Sequence, residues 1–305
     1  MRHLITLCDV TSAEVGRIFA ITEDLKTKYA QGLREPLLPG RTLALLFEKQ
    51  SLRTRVSFEA GITHLGGNCI MLGDDVGFGK RESVADFTRV LSEMVDAIVV
   101  RSMKHDTVVE VAQHSKCPVI NGLTDESHPC QALADIYTLR EHFGKLAGLK
   151  LAWVGDGNNV ARSLARCCGH TGVELSVATP KGYELDSQFL ADTRQQFPNL
   201  KLVTTHDPAA AVRGASAVYT DVWASMGQEA ERAKRLQDFA AYQVNGKLMQ
   251  SAPPEAVFMH CLPARRGEEV TDEVIDSPLS VVVAQAANRM HVQKGILVWL
   301  LSAQT

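Results

Sequence analysis

Leu43-Ala44-Leu45-Leu46-Phe47-Glu48-Lys49-Gln50-Ser51-Leu52-Arg53-Thr54-Arg55 runs from an apolar stretch through a short polar turn into a new apolar rhythm at Val56, Ala60 and Thr63. A buried strand therefore ends at Phe47, and a helix starts near Ser51, because serine is a good N-cap and the spacing after it is helical. A helix start attracts anions: its first N–H groups lack intrahelical partners and the macrodipole is positive there. Phosphate placed over Ser51 to Thr54 would meet amides, two hydroxyls and a guanidinium together. Taken alone, the same stretch also reads as a surface helix with solvated arginines.

Working outward, the pattern repeats. A helix precedes the stretch, running to Tyr29 with Thr11-Ser12 as its cap. After it come strand Cys69 to Leu72, a glycine-rich loop from Gly73 to Lys80, and a helix from Ser83 with Asp86 at the capping-box position. Strand Ala97 to Val100 delivers Arg101 at its end, a helix spans Thr107 to Gln113, and strand Pro118 to Asn121 leads into a helix opening at His128-Pro129-Cys130-Gln131. Gly144 and Gly148 interrupt the alternation and mark a hinge. It resumes with strands Leu151 to Val154, Leu175 to Ala178, Leu202 to Thr204, Ala217 to Thr220, Val257 to His260 and Val281 to Val283. An amphipathic helix from Ala286 to Leu301 closes the chain. Strands alternating with helices predict an α/β fold of two doubly wound parallel-sheet domains, residues 1–143 and 144–285, with residues 286–305 packing back on the first.

The 305 residues suit two domains. With 32 Lys and Arg against 35 Asp and Glu, the net charge of -3 gives no global basic field for nucleic acid or an anionic membrane, so any phosphate site is local. Seven cysteines, an odd number without a C-x-x-C pair, fit a reducing compartment. The N-terminus lacks a long apolar core, and no apolar run approaches the roughly 20 residues that span a bilayer, so a cytoplasmic location is expected.

In open parallel sheets, ligands bind beyond the C-terminal strand ends. The polar clusters Ser51 to Arg55, Arg101, His128 to Gln131, Asn158-Asn159, Asp221 to Gly227 and His260 to Pro263 all follow apolar strands, and convergence on one crevice is the expectation. These residues are also familiar. Phe47-Glu48-Lys49-x-Ser51-x-Arg53-Thr54-Arg55, His128-Pro129-Cys130-Gln131, Asp221-Val222-Trp223-x-Ser225-Met226-Gly227, His260-Cys261-Leu262-Pro263 and Asn288-Arg289-x-His291 resemble, in order and spacing, the aspartate/ornithine carbamoyltransferase superfamily. Ser-Met-Gly and His-Cys-Leu-Pro are similar to its ornithine branch.

The resemblance implies transfer of a carbamoyl group from carbamoyl phosphate to the δ-amine of L-ornithine, with no cofactor and no metal. It implies phosphate held by Ser51, the Leu52 amide, Arg53, Thr54 and Arg101, with Arg53, Thr54, Arg101 and His128 around the carbonyl or bridging oxygen. Gln131, the Leu262 carbonyl and Arg289 would take the carbamoyl end. Asn159, Asp221, Ser225 and Met226 would bind the α-amino and α-carboxylate groups of ornithine, and His260 and Cys261 would lie by the reacting amine, Cys261 as an orienting or proton-accepting thiolate. A homotrimer, or a multiple of trimers, in arginine biosynthesis follows from the same likeness.

The chain departs from the family pattern twice. Leu52 replaces a common Thr, which matters little if only its N–H is used. Gly77 stands where many ornithine enzymes carry a Gln lent to the neighbouring subunit, and Lys80 is the candidate replacement across a subunit interface.

Rival readings rest on less. Strand Leu151 to Val154 followed by Gly155-Asp156-Gly157 suggests a dinucleotide-dependent oxidoreductase, but Val160-Ala161 stands where a further Gly is expected. A non-enzymatic regulator would have little use for Arg53, Arg101, His128, Gln131 and Arg289 together. Carbamoyltransferases for N-acylornithine or putrescine are the nearest alternative, and Asp221 favours a free α-ammonium over an acylated one.

Overall fold

β1 (Thr42–Phe47) is buried along all but its first residue, the continuous apolar run of a parallel strand covered on both faces. Each such Leu contributes about 1.5–3 kcal/mol by burial, which outweighs the modest helix propensity of Leu43 to Leu46. The computed structural model of the protein describes residues 1–224 and 229–302. The chain packs as two units, Met1–Ala134 with Ala287–Thr305, and Asp135–Ala286.

The first unit opens with α1 (Ser12–Ala30), started by a capping box in which Thr11 and Glu14 satisfy each other's backbone N–H. β1 follows, then α2 (Leu52–His64) capped by Ser51, β2 (Asn68–Leu72), and α3 (Val84–Leu91) capped by Ser83. β3 (Ala97–Arg101), α4 (His105–His114) and β4 (Val119–Leu123) complete a parallel sheet of order β2-β1-β3-β4. α5 (Pro129–Phe143) carries the chain onward. Ile5, Ala44, Leu46, Ile98, Val100 and Val119 form part of the core.

The second unit contains β5 (Lys150–Val154), α6 (Asn159–Thr171), β6 (Glu174–Ala178), α7 (Ser187–Gln196), β7 (Leu202–Thr205) and α8 (Pro208–Val212). It continues with β8 (Ala217–Thr220), α9 (Arg232–Asp238), α10 (Gly246–Met249), β9 (Val257–His260) and α11 (Asp272–Ile275). Its parallel sheet has order β7-β6-β5-β8-β9, over a core that includes Val154, Val218, Phe239 and Phe258. α12 (Val282–Leu301) ends the fold.

Both sheets reverse their winding direction once, between β1 and β3 in the first and between β5 and β8 in the second. Chains leaving neighbouring strands there diverge to opposite faces and open a crevice at the C-terminal edge. Ser51, Arg101, Asn158 and Asp221 all sit at these points.

Two expectations for the C-terminal region are corrected. Val281 to Val283 is not a strand: Val281 N–H bonds to Phe258 O at 3.0 Å, Phe258 bridges Ser280, and Val282 already belongs to α12. The β-branched run imitated a strand, but only one bridge forms before helical bonding takes over. α12 is not amphipathic in its second half either, since every residue from His291 to Leu300 is buried, and a helix buried on all sides carries no polar stripe. Among the described residues, no helix is long and apolar enough to cross a membrane.

Candidate active site

Within the first unit, the Thr54 hydroxyl is the hub. Ser51 caps α2, accepting the Thr54 N–H at 3.4 Å and donating its own hydroxyl to Thr54 Oγ1 at 3.0 Å. Arg101, at the end of β3, donates from Nη1 to the same oxygen at 3.2 Å, and Arg289 on α12 donates from Nη2 at 2.8 Å. Three donors thus converge on one hydroxyl oxygen. The first-turn amides of α2, those of Leu52 and Arg53, lie beside this hub without intrahelical partners. Leu52 is 74% exposed, so its side chain takes no part in the core. Arg53 is half-exposed on the same turn. Arg55 instead pairs with Glu59 at 2.9 Å on the outer face of α2.

His128 and Gln131 open α5 and are both buried. Burial, reinforced by the charges of Arg289 and Arg101, pushes the His128 imidazole well below its ordinary value, so it is neutral at pH 7. The turn that presents it is held by the Thr124 N–H to Ser127 O bond at 3.0 Å, by the Ser127 N–H to Thr124 Oγ1 bond at 3.2 Å, and by Asn121 Nδ2 donating to Ser127 O at 3.4 Å. Cys130, between them, is a buried thiol raised to about 12, which leaves it a small hydrophobe. Arg101, His128, Arg289 and Thr54 thus gather as a local donor cluster in a chain of net charge -3. Asn121, Thr124 and Ser127 support that turn, and no motif in the sequence singles them out.

Lys80 lies in the turn closed by its own N–H to Gly77 O bond, beside a cavity of about 590 Å³ that it lines with Phe47, Glu48, Phe78, Met103 and Lys104. Gly77 has φ +71, and a Cβ there would sit 2.3 Å from Arg81 Cδ. This loop is therefore built around glycine, and a glutamine at Gly77 would be strained.

In the second unit, Asp221 is the counterpart hub. Asn158 caps α6, with its Oδ1 accepting the N–H groups of Val160 and Ala161 at 3.0 and 3.1 Å, and its Nδ2 donating to Asp221 Oδ2 at 3.0 Å. Asp221 Oδ1 accepts the Val222 N–H at 2.8 Å and the Cys261 thiol at 3.1 Å. Asn158, the neighbour of the Asn159 that the resemblance singles out, thus reaches Asp221 directly. Asn159 opens α6, half-buried, with its carbonyl accepting Ser163 Oγ–H at 2.8 Å. Ser225 and Met226 lie outside the described residues.

The structure corrects one chemical expectation. Burial first, and then the neighbouring Asp221 carboxylate, push the Cys261 thiol well above its ordinary value, so it is a protonated donor and not a thiolate. Both His260 ring nitrogens are engaged within the fold: its side chain is buried, Nδ1 accepts the Leu262 N–H at 2.8 Å, and Nε2 therefore donates to Glu269 Oε1 at 3.1 Å. Its ring holds the Cys261-Leu262 corner in shape. Leu262 has φ +57, a strained conformation for a branched side chain, and it is maintained by this bond. Asp221, His260 and Cys261 offer ligand atoms within 4.8 Å of one another, but both His260 nitrogens are already committed, which leaves a poor donor set for a metal.

Arg235 on α9 is a further residue without a sequence signal. It is buried, donates from Nη1 to Asp156 Oδ2 at 2.6 Å and to Trp223 O at 2.9 Å, and from Nε to Glu231 at 3.1 Å. It therefore ties the turn after β5 to the segment after Asp221. The same turn disfavours a dinucleotide. Asn158 already occupies the α6 N-terminal amides, Asp156 adds a carboxylate, and a Cβ on Gly157 would meet the Glu184-Leu185 backbone at 2.6 Å, so that glycine serves packing.

Comparison with known proteins agrees with this division of labour. The family model for the aspartate/ornithine carbamoyltransferase carbamoyl-P binding domain matches residues 2–141, and that for the Asp/Orn binding domain matches residues 147–300. The ornithine carbamoyltransferase of Carboxydothermus hydrogenoformans is 50% identical over 98% of this chain and 97% of its own, and that of Bacillus subtilis is 48% identical over 97% and 92%. The structure of the ornithine carbamoyltransferase from Pyrococcus furiosus superposes with a TM-score of 0.96 at 47% identity, covering 100% of this chain and 98% of that one. With both domains matched, and with a donor cluster at the first sheet's reversal and a carboxylate–thiol pair at the second's, this chain belongs to the aspartate/ornithine carbamoyltransferase family.

Proposed function

We propose that this protein transfers the carbamoyl group of carbamoyl phosphate to the δ-amine of L-ornithine, giving L-citrulline and phosphate. The observation that carries the reading is the Asp221 carboxylate beside the Cys261 thiol, since a free α-ammonium needs a fixed anion and an acylated amine offers no charge to meet it. The relatives named above are all ornithine enzymes.

In the first unit, Ser51, the Leu52 amide, Arg53, Thr54 and Arg101 hold the phosphate, and Arg289 and Gln131 hold the carbamoyl end. Ligand oxygens join Thr54 Oγ1 as acceptors for the Arg101 and Arg289 guanidinium groups. Neutral His128 donates to the carbonyl oxygen without adding charge, and with Arg101 it stabilises the oxyanion that forms on attack. In the second unit, Asp221, Asn159, Ser225 and Met226 take the α-amino and α-carboxylate groups, with Cys261 beside the chain that bears the amine.

The amine nitrogen forms the new C–N bond, and the bond from the carbonyl carbon to the phosphate oxygen breaks. Cys261 keeps its proton, so the proton released by the amine goes to the departing phosphate. Lys80 completes the phosphate site of a neighbouring subunit in a homotrimer, and the enzyme works in the cytoplasm in arginine biosynthesis.

The test is citrulline formation from carbamoyl phosphate with L-ornithine, N-acetylornithine, putrescine and aspartate in parallel. Preference for any amine other than L-ornithine overturns the reading.

A further inference from the structure

β9 is the last strand of the second sheet, so the N–H groups on its outer side have no further strand to meet. Phe258 and His260, two residues apart, both present such an N–H. That of Phe258 reaches Leu279 O at 2.9 Å. That of His260, one residue before Cys261, is taken instead by a side chain, Gln285 Oε1 near the start of α12, at 3.0 Å. Gln285 is fully buried, and its Nε2 donates to Oδ1 of the fully buried Asp135 on α5 at 2.7 Å. Asp135 Oδ2 accepts the Tyr219 hydroxyl of β8 at 3.1 Å.

The order of these bonds fixes an orientation. A primary amide can present either its oxygen or its NH2 group, whereas a carboxylate only accepts. Asp135 therefore claims the Nε2 end of Gln285 and leaves the oxygen for His260. With the amide reversed, an NH2 group would face a buried N–H, and two donors would be left without an acceptor. The strand end held in this way is the one from which Cys261 reaches Asp221 at 3.1 Å and Leu262 turns at φ +57.

We propose that Gln285, oriented by Asp135, is a positioning residue for the corner after β9: it stands in for the missing strand and sets where Cys261 meets the amino-acid substrate. Gln285 acts through the backbone of His260, and Asp135 acts through Gln285. The inference deepens the ornithine reading and rests on it.

Two variants of the full chain test it. Gln285→Met keeps the length of the side chain and removes the amide. The double variant Asp135→Asn with Gln285→Glu exchanges donor and acceptor between the two side chains, yet still turns an oxygen toward the His260 N–H. The first readout is amide hydrogen exchange resolved by residue. Gln285→Met should speed exchange at His260 by about tenfold or more and leave Phe258, two residues earlier on the same edge, within about threefold, while the double variant should match the parent at both. Equal acceleration at both residues marks a general loosening and overturns the proposal, as does an unchanged His260.

Steady-state kinetics give the second readout. Gln285→Met should lower kcat about tenfold and raise KM for L-ornithine, with the dissociation constant of carbamoyl phosphate within about twofold, and the double variant should recover most of the loss. An equal loss in both variants, or a kcat and ornithine KM that do not move in Gln285→Met, counts against it. Should one variant fail to fold, the other decides by the same two readouts. If the unmodified protein forms no citrulline, the ornithine reading falls, while exchange at His260 still decides whether the amide holds the strand end.

Discussion

Arg289 donates to Thr54 Oγ1 at 2.8 Å across a sequence separation of 235 residues, and Arg101 donates to the same oxygen at 3.2 Å. Two guanidinium groups are thereby pre-aimed at one point beside a helix N-terminus. Thr54→Val keeps the shape and removes the oxygen. It should lower kcat/KM for carbamoyl phosphate by about 10²–10³, the range for losing one preorganised polar group, with a melting temperature within a few degrees of the parent. A drop of less than threefold in steady-state kinetics would argue that the threonine is only a cap.

His128 sets an acid limb on stability. Its imidazole is held well below its ordinary value by burial and by Arg289 and Arg101, while the unfolded chain takes up a proton near pH 6.5. Below that pH the unfolded state binds more protons than the folded one, so stability falls as pH drops from about 7 to 5. His128→Asn should flatten this limb, as read from urea midpoints at several pH values, whereas parallel curves for the two proteins would contradict the assignment.

Arg235 is the buried partner of Asp156, with which it pairs at 2.6 Å. Arg235→Leu leaves that carboxylate uncompensated in a buried turn and should cost about 3–5 kcal/mol by urea unfolding. Adding Asp156→Asn should recover part of the loss. If the double variant is no more stable than Arg235→Leu, then the charge pair is not the cause.

Asn158 combines capping of α6 with a bond to Asp221. Asn158→Ala should cost about 1 kcal/mol in stability and raise KM for L-ornithine. Asn158→Asp restores the cap but sets a like charge on Asp221, so it should be the more stable of the two and the poorer binder of ornithine. Ranking the variants by thermal melting and by ornithine KM checks both halves, and the same order in the two measurements would refute the split.

The amine itself supplies a pH dependence. An alkyl ammonium with a pKa near 10.4 is almost wholly protonated at neutral pH, so kcat/KM for L-ornithine should rise about tenfold per unit between pH 6 and 8. A flat profile over that interval would require a protein base that Cys261, as a protonated thiol, does not provide.

Local sequence determined much of this molecule because neighbours in the chain supply the cause. Ser51 before Leu52 makes a capped helix start, Thr11 and Glu14 make a capping box, and the apolar run Leu43 to Leu46 makes a buried strand whatever lies far away. The motifs were legible for the same reason, and the structure gathers Thr54, Arg101, His128 and Arg289 within the first unit and Asp221 and Cys261 within the second.

Protonation, partners and register were settled only by tertiary packing, because they depend on distance and burial, which residue spacing does not encode. Cys261 is a thiol because burial and Asp221 surround it; His260 is a brace because Leu262 and Glu269 occupy its nitrogens; Asn158 meets Asp221 because the cap geometry turns it there. Val282 joins a helix because one bridge at Ser280 cannot compete with helical bonding.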